Sequence, residues 1–175
     1  GHGTYSLELA GVAVATSIAT IPVTTGSISA PTLLQSDVVV IPEVVKEFVP
    51  FGHFSDLKNI ISSGLFFPVF ITGLSGNGKT FMVEQVCAKL KRECYRVNVT
   101  IETDEDDLIG SNTLIDGNIV FREGPVLKAM RKGAVLLIDE IDLASNKIMC
   151  LQSILEGKGY LNKKTGEYIE PVSGF

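Results

Sequence analysis

The stretch GLSGNGKT, residues 73–80, constrains this chain more than any other. It fits the pattern G-x-x-x-x-G-K-[ST] in full, through Gly73, Gly78, Lys79 and Thr80. The apolar run FPVFITG (67–73) leads into it and reads as a short strand buried on both faces. KTFMVEQVCAKLKR (79–92) leads out of it as a helix, with Phe81, Val83, Val86, Cys87 and Leu90 as its apolar positions. A strand that turns through glycines into a helix aims several backbone N–H groups, and the positive end of the helix dipole, at one point. That suits a polyphosphate. Glycines permit the turn and remove the Cβ atoms that would block close approach. Lys79 has the reach for β- and γ-phosphates, and the Thr80 hydroxyl is an oxygen ligand for Mg2+. The nucleotide-binding set is therefore Gly73, Leu74, Ser75, Gly76, Asn77, Gly78, Lys79, Thr80 and Phe81, with ATP and Mg2+ as the bound species.

A second motif supplies acids. VLLIDE (135–140) runs four apolar residues into two carboxylates, and ligands of α/β sheets sit beyond the carboxyl ends of the strands. Asp139 is read as the acid that holds Mg2+, alongside Thr80. Glu140 is read as the base that polarises the attacking water, which with Lys79 completes the catalytic pair. The bland alternative is two solvated acids in a strand-end loop. Asp142 is read as a helix cap or a solvated acid, and DEDD (104–107) as the acidic first turn of a helix with Thr103 as N-cap. Arg122 is a surface arginine by default, or a group touching a phosphate on a neighbouring subunit. His53 lines a base pocket at most, and neither His53 nor His2 has partners at metal-ligand spacing.

The 175 residues are 45% apolar and 20% charged, enough for one domain with a real core. The net charge of −5, with no lysine or arginine block, argues against a nucleic-acid surface. Cys87, Cys94 and Cys150 form no CxxC pair, so neither a zinc knuckle nor a disulfide framework is indicated; three reduced thiols place the chain in the cytoplasm. Residues 1–36 carry one charge, Glu8, and read as a linker or a pair of β-prone segments. LAGVAVATSIATIPV is too short and too polar for a membrane span and lacks the basic flank of a targeting signal.

Residues 37–175 read as alternating strands and helices, the pattern of an α/β fold with a parallel sheet covered on both faces. Ser55 is expected to cap an amphipathic helix through Leu57, Ile60 and Ile61. CYRVNVT (94–100) and AVLLID (134–139) are the next buried strands. TLIDGNIVF (113–121) is a hairpin turning at Asp116-Gly117, and GPVLKAMRKG (124–133) a helix with Pro125 in its first turn. NKIMCLQSILEGKG (146–159) is a helix stopped by glycines, and YLNKKTGEYIEP (160–171) a second hairpin around 163–166.

GLSGNGKT and LLIDEID, with DDLIG and FREGP between them, resemble the AAA+ ATPases of the MoxR and cobaltochelatase small-subunit (CobS) type. The phage-encoded CobS-like ATPases are the nearest likeness. The similarity runs from about Pro42 to Phe175. The resemblance implies a P-loop NTPase (AAA+) three-layer αβα fold with a β-hairpin inserted in its second helix. It also implies a homo-oligomeric, hexameric ring with ATP at the subunit interfaces. Its partner would be a chelatase complex or a protein with a metal-adhesion-type domain. The chain begins at Gly1 and stops at Phe175, where the family's sensor 1 strand is expected; it is read as a partial domain, weak as an isolated ATPase because trans-acting groups lie beyond it. Two other functions fit the phosphate loop: a kinase acting on a small acceptor, which has no need of Glu140, and a non-catalytic module that assembles on ATP.

Overall fold

A computed structural model of the chain describes residues 40–175. The expectations for residues 1–36 lie outside the described residues. The central element is a parallel pair, β1 (Cys94–Asn98) with β4 (Val135–Asp139), in the register Cys94 to Val135 through Asn98 to Asp139. Side chains alternate across it. Cys94, Val135 and Leu137 face a cluster built from α1 (Phe54–Ser63) and α2 (Lys79–Leu90), with Phe54, Leu57, Met82, Val83, Val86 and Cys87 at its centre. Val97, Leu136 and Ile138 face the opposite cluster, with Leu108, Ile109, Val126, Leu127, Met130, Leu151 and Ile154. Helices therefore cover both faces of the parallel pair, a layered α/β architecture.

The second face is assembled by α3 (Glu105–Leu108), α4 (Pro125–Lys132) and the hairpin between them, β2 (Gly110–Ile115) with β3 (Asn118–Glu123). The hairpin thus interrupts a helical layer, as expected, and is longer than its sequence signal. Asp116 and Gly117 both take positive φ, 49° and 79°, which is what a two-residue turn matched to strand twist requires. After β4 come two 3-10 turns (Ile141–Leu143 and Asn146–Leu151), then α5 (Gln152–Leu155) and a small hairpin of β5 (Tyr160–Asn162) with β6 (Glu167–Ile169). Arg131 on α4 ties the two hairpins together, donating to Glu123 and to Glu167, each at 2.6 Å.

Several local expectations are corrected. The run 67–73 forms no ladder with any described residue. It has no regular secondary structure, and Phe67, Val69 and Phe70 are exposed; only Ile71 of the run packs beside α2. An apolar run needs a neighbour along its edge before it is a strand, and β1 and β4 pair with each other instead. Ser55 lies inside α1, whose N-cap position is His53 and has no side-chain cap bond. Asp104, not Thr103, caps α3: its carboxylate accepts from the N–H groups of Asp106 and Asp107, and Asp107 reciprocates, while the Thr103 hydroxyl accepts from the N–H of Thr100. Residues 146–159 are half 3-10, with α-helical geometry only from Gln152 to Leu155. β4 is half-buried along its length rather than fully buried.

All three cysteines are free. Cys87 and Cys94 meet in the core, and the hydrogen bond between their thiols lowers the pKa of Cys87 and raises that of Cys94. Among the described residues no helix is long and apolar enough to cross a membrane.

Gly124 is where the hairpin returns to the helical layer. A Cβ there would lie 2.4 Å from the carbonyl oxygen of Leu108, whereas a Cβ on Gly117 would meet nothing within 4 Å. Gly124→Ala is therefore expected to cost about 3 kcal/mol, as overpacking against backbone does, and Gly117→Ala only about 1 kcal/mol for its positive φ. Urea denaturation of the two variants beside the parent chain checks the ordering.

Candidate nucleotide-binding site

The phosphate loop wraps its own lysine. Lys79 Nζ donates to the carbonyl oxygens of Gly73 and Leu74, both at 2.9 Å, so the ammonium sits inside the curve of the loop. Gly78, at φ 72°, is the N-cap of α2 and supplies no side-chain cap. The first intrahelical bond there runs from Met82 N–H to Gly78 C=O at 2.8 Å, so the amides of Lys79, Thr80 and Phe81 precede the helix's own ladder. Gly73, Leu74, Ser75, Gly76 and Asn77 are exposed, and Gly78, Lys79 and Thr80 half-buried. The loop is thus open on the side where a polyphosphate would lie.

Strand β4 delivers the acid. Asp139 shares the α2-facing side of the sheet with Val135 and Leu137. Thr80 Oγ1 donates to Asp139 Oδ2 at 3.0 Å, which joins the end of the loop to the end of the strand. Two oxygen donors in contact, one of them anionic, suit a hard divalent cation, so the donor set fits Mg2+. Glu140 follows at once, exposed and in left-handed backbone geometry (φ 56°), because the chain leaves the sheet there for a 3-10 turn. Asp142 lies exposed inside that turn and caps no helix.

The remaining candidates lie elsewhere. DEDD is spent on structure: Asp104 and Asp107 form the capping box, Glu105 accepts from the Tyr160 hydroxyl at 2.5 Å, and Asp106 pairs with Lys164. The Tyr160 pKa is raised by burial and by that carboxylate. No group of three or more His, Cys, Asp or Glu among the described residues could hold a metal ion by itself. Arg122 is exposed on β3, opposite Ser111. His53 is exposed and pairs with Asp56 at 3.0 Å.

Two residues at the site belong to no motif in the sequence. Phe51, rather than His53, reaches the loop: its ring would lie 3.2 Å from a Cβ on Gly78. Arg96 on β1 donates to Asp139 Oδ2 at 2.8 Å and to Glu84 Oε1 at 3.1 Å. Alternation in β1, with Cys94 facing α2, was the one available hint that Arg96 shares that face.

The family model of the AAA domain, dynein-related subfamily, matches residues 68–173. The chain belongs to the dynein-related AAA subfamily. AAA domains are ATP-binding ATPase domains, and the nucleotide typically comes with Mg2+. An uncharacterized protein of Staphylococcus haemolyticus is 35% identical over 114 residues, which cover 61% of this chain and 43% of that protein. Uncharacterized proteins of Staphylococcus epidermidis and Staphylococcus aureus are 34% identical over the same length and the same shares. The chain therefore spans less than half the length of these curated relatives.

In this AAA domain the contact between Thr80 and Asp139 can be tested without nucleotide. Thr80→Val keeps the shape but removes the donor, and is expected to lower unfolding stability by about 1 kcal/mol. Thr80→Ser keeps the donor and is expected to stay within about 0.5 kcal/mol of the parent. Chemical denaturation of the three proteins in EDTA reads the difference.

Proposed function

We propose that residues 37–175 form the nucleotide-binding core of an ATP hydrolase, working as one subunit of a ring that remodels a partner. The observation that carries this reading is the 3.0 Å hydrogen bond between Thr80 and Asp139, which puts the end of the phosphate loop against the acid-bearing strand end.

Each residue then has a role. The backbone amides of residues 74–81 hold the phosphate oxygens, with Gly73 and Gly78 shaping the loop. Lys79 moves its ammonium from the Gly73 and Leu74 carbonyls onto the β- and γ-phosphates. Thr80 and Asp139 would hold Mg2+, which would offset the negative charge of a bound polyphosphate. Glu140 orients the attacking water and accepts its proton; its exposure at the strand end leaves the carboxylate free to turn toward the phosphates. Phe81 adds its backbone amide at the first turn of α2, ahead of the helix's own ladder.

The finer reading follows the resemblance to the MoxR and cobaltochelatase small-subunit ATPases. It makes the assembly a homo-oligomeric, hexameric ring and the partner a chelatase complex or a metal-adhesion-domain protein, with the hairpin β2–β3 turned toward partner or pore. Leu114 and Ile119, paired across the hairpin and exposed, give it an apolar tip suited to contact. Three free thiols suit a reducing compartment, in keeping with a cytoplasmic location.

Titration with Mg-ATP, following binding and phosphate release together, tests the core of the proposal. Lys79→Ala is expected to weaken binding by about ten- to a hundredfold, the worth of a lost hydrogen bond to a charged group. Glu140→Gln is expected to bind within about twofold of the parent and to release phosphate about a hundredfold more slowly or worse. Undiminished binding by Lys79→Ala would sink the reading. Release that appears only on adding a small acceptor would convert it to phosphoryl transfer.

A further inference from the structure

Among the described residues Arg96 is the cation paired with Asp139, and nothing in the proposed hydrolytic reading uses it. Its place follows from the fold. β1 and β4 are in parallel register, with Arg96 opposite Leu137 and Asn98 opposite Asp139. Cys94 and Leu137 show that this side of the sheet faces α2. Thr80 and Glu84 lie four residues apart on α2, hence on one face of the helix and one turn apart. The guanidinium lies between helix and sheet and bridges two acids: Nη2 to Asp139 Oδ2 at 2.8 Å and Nη1 to Glu84 Oε1 at 3.1 Å. The Thr80 hydroxyl donates to that same Oδ2.

We infer that Arg96 is a positioning residue that competes with the divalent cation for the Asp139 carboxylate, with Glu84 as its alternative seat. The inference rests on the proposed roles of Thr80 and Asp139. A planar guanidinium presents separate N–H groups to two carboxylates from one rigid fork, so one can be released while the other is kept. While it holds Asp139 it neutralises the charge that would attract the cation and fixes Oδ2 for Thr80. When Nη2 lets go, Nη1 keeps its bond to Glu84, so the side chain is not stranded without a partner. The Arg96 side chain is 48% exposed and has room to swing; that of Asp139 is 17% exposed and stays. The balance between the two acids sets how much Mg2+ the site requires. Arg96 also leaves a positive charge near the phosphate loop for a nucleotide that arrives without Mg2+.

The test is a Mg2+ titration of the binding of a fluorescent ATP analogue to the full chain, with a parallel measurement in EDTA, for the parent, Arg96→Gln and Glu84→Gln. Arg96→Gln is expected to lower the half-saturating Mg2+ concentration about fivefold, the scale of a partly exposed ion pair, and to weaken binding in EDTA. Glu84→Gln removes the second seat and is expected to raise the half-saturating concentration by a similar factor. Opposite signs are the signature, since a loss of packing would weaken binding by both variants under both conditions. An unchanged or raised Mg2+ requirement in Arg96→Gln overturns the inference, as do two variants that move the same way. If Arg96→Gln does not fold, Glu84→Gln decides alone: a rise supports the competition and no change overturns it. A parent chain that binds no analogue at any Mg2+ concentration would instead defeat the nucleotide-site reading itself. Lys79-dependent binding with no shift in Arg96→Gln would defeat only the competition.

Discussion

The parallel register of Cys94–Asn98 against Val135–Asp139 is the constraint on which the rest of the described structure depends. It puts Asp139 at the end of a strand whose alternate residues, Val135 and Leu137, are anchored under α2. The helix can then meet the acid only through its first turn, where Thr80 stands. A slip of one residue would turn Asp139 toward the apolar cluster around Leu127 and Met130, where an unpaired carboxylate would be costly. The hydrophobic pattern of β4 and the chemistry of the site thus enforce the same register.

The two faces of the sheet divide the labour. The α2 face carries the polar groups at the strand ends, while the opposite face is a closed apolar cluster bound to both hairpins. Arg131 fastens those hairpins to α4. Arg92 plays a comparable part at the end of α2, donating to the carbonyl oxygens of Gly133 and Gly174 and so holding the last residues of the chain against the C-terminus of α4. Gln85, almost fully buried, binds the backbone of Glu43 and Val45 and lashes the segment before α1 onto α2. These long polar side chains hold the periphery where apolar contact is thin.

What was legible in the sequence was local. The loop from Gly73 to Thr80, the acids after VLLI and the Asp116-Gly117 turn each announce themselves within a few residues, because each depends on its own backbone geometry. The misplaced elements depend on a neighbour. FPVFITG has the composition of a strand, but a ladder needs a second chain segment that composition does not supply. Thr103 and Asp104 are both good caps, and only the path out of Thr100 decides that Asp104 takes the helix while Thr103 closes the preceding turn. Arg96 looks like any charged residue on a strand, and becomes part of the site only because Asp139 and Glu84, distant in sequence, are brought beside it. Phe51 is unreadable for the same reason.

The separation between Thr80 and Asp139, 59 positions along the chain, has a meaning for folding. Between them lie the rest of α2, β1, the α3–hairpin–α4 layer and most of β4. The hairpin closes over a two-residue turn and α2 needs only local bonds, so both can form early. The parallel pair must wait for the whole crossover, since its loop-closure entropy is spent before any of its contacts are made. The contact between the phosphate loop and its acid is thus one of high sequence separation, whose closure entropy is met only with the crossover in place. A chain that has its helices and hairpins but not this contact would show native-like secondary structure and no site, so assembly of the site is a stricter criterion of the finished fold than helical content.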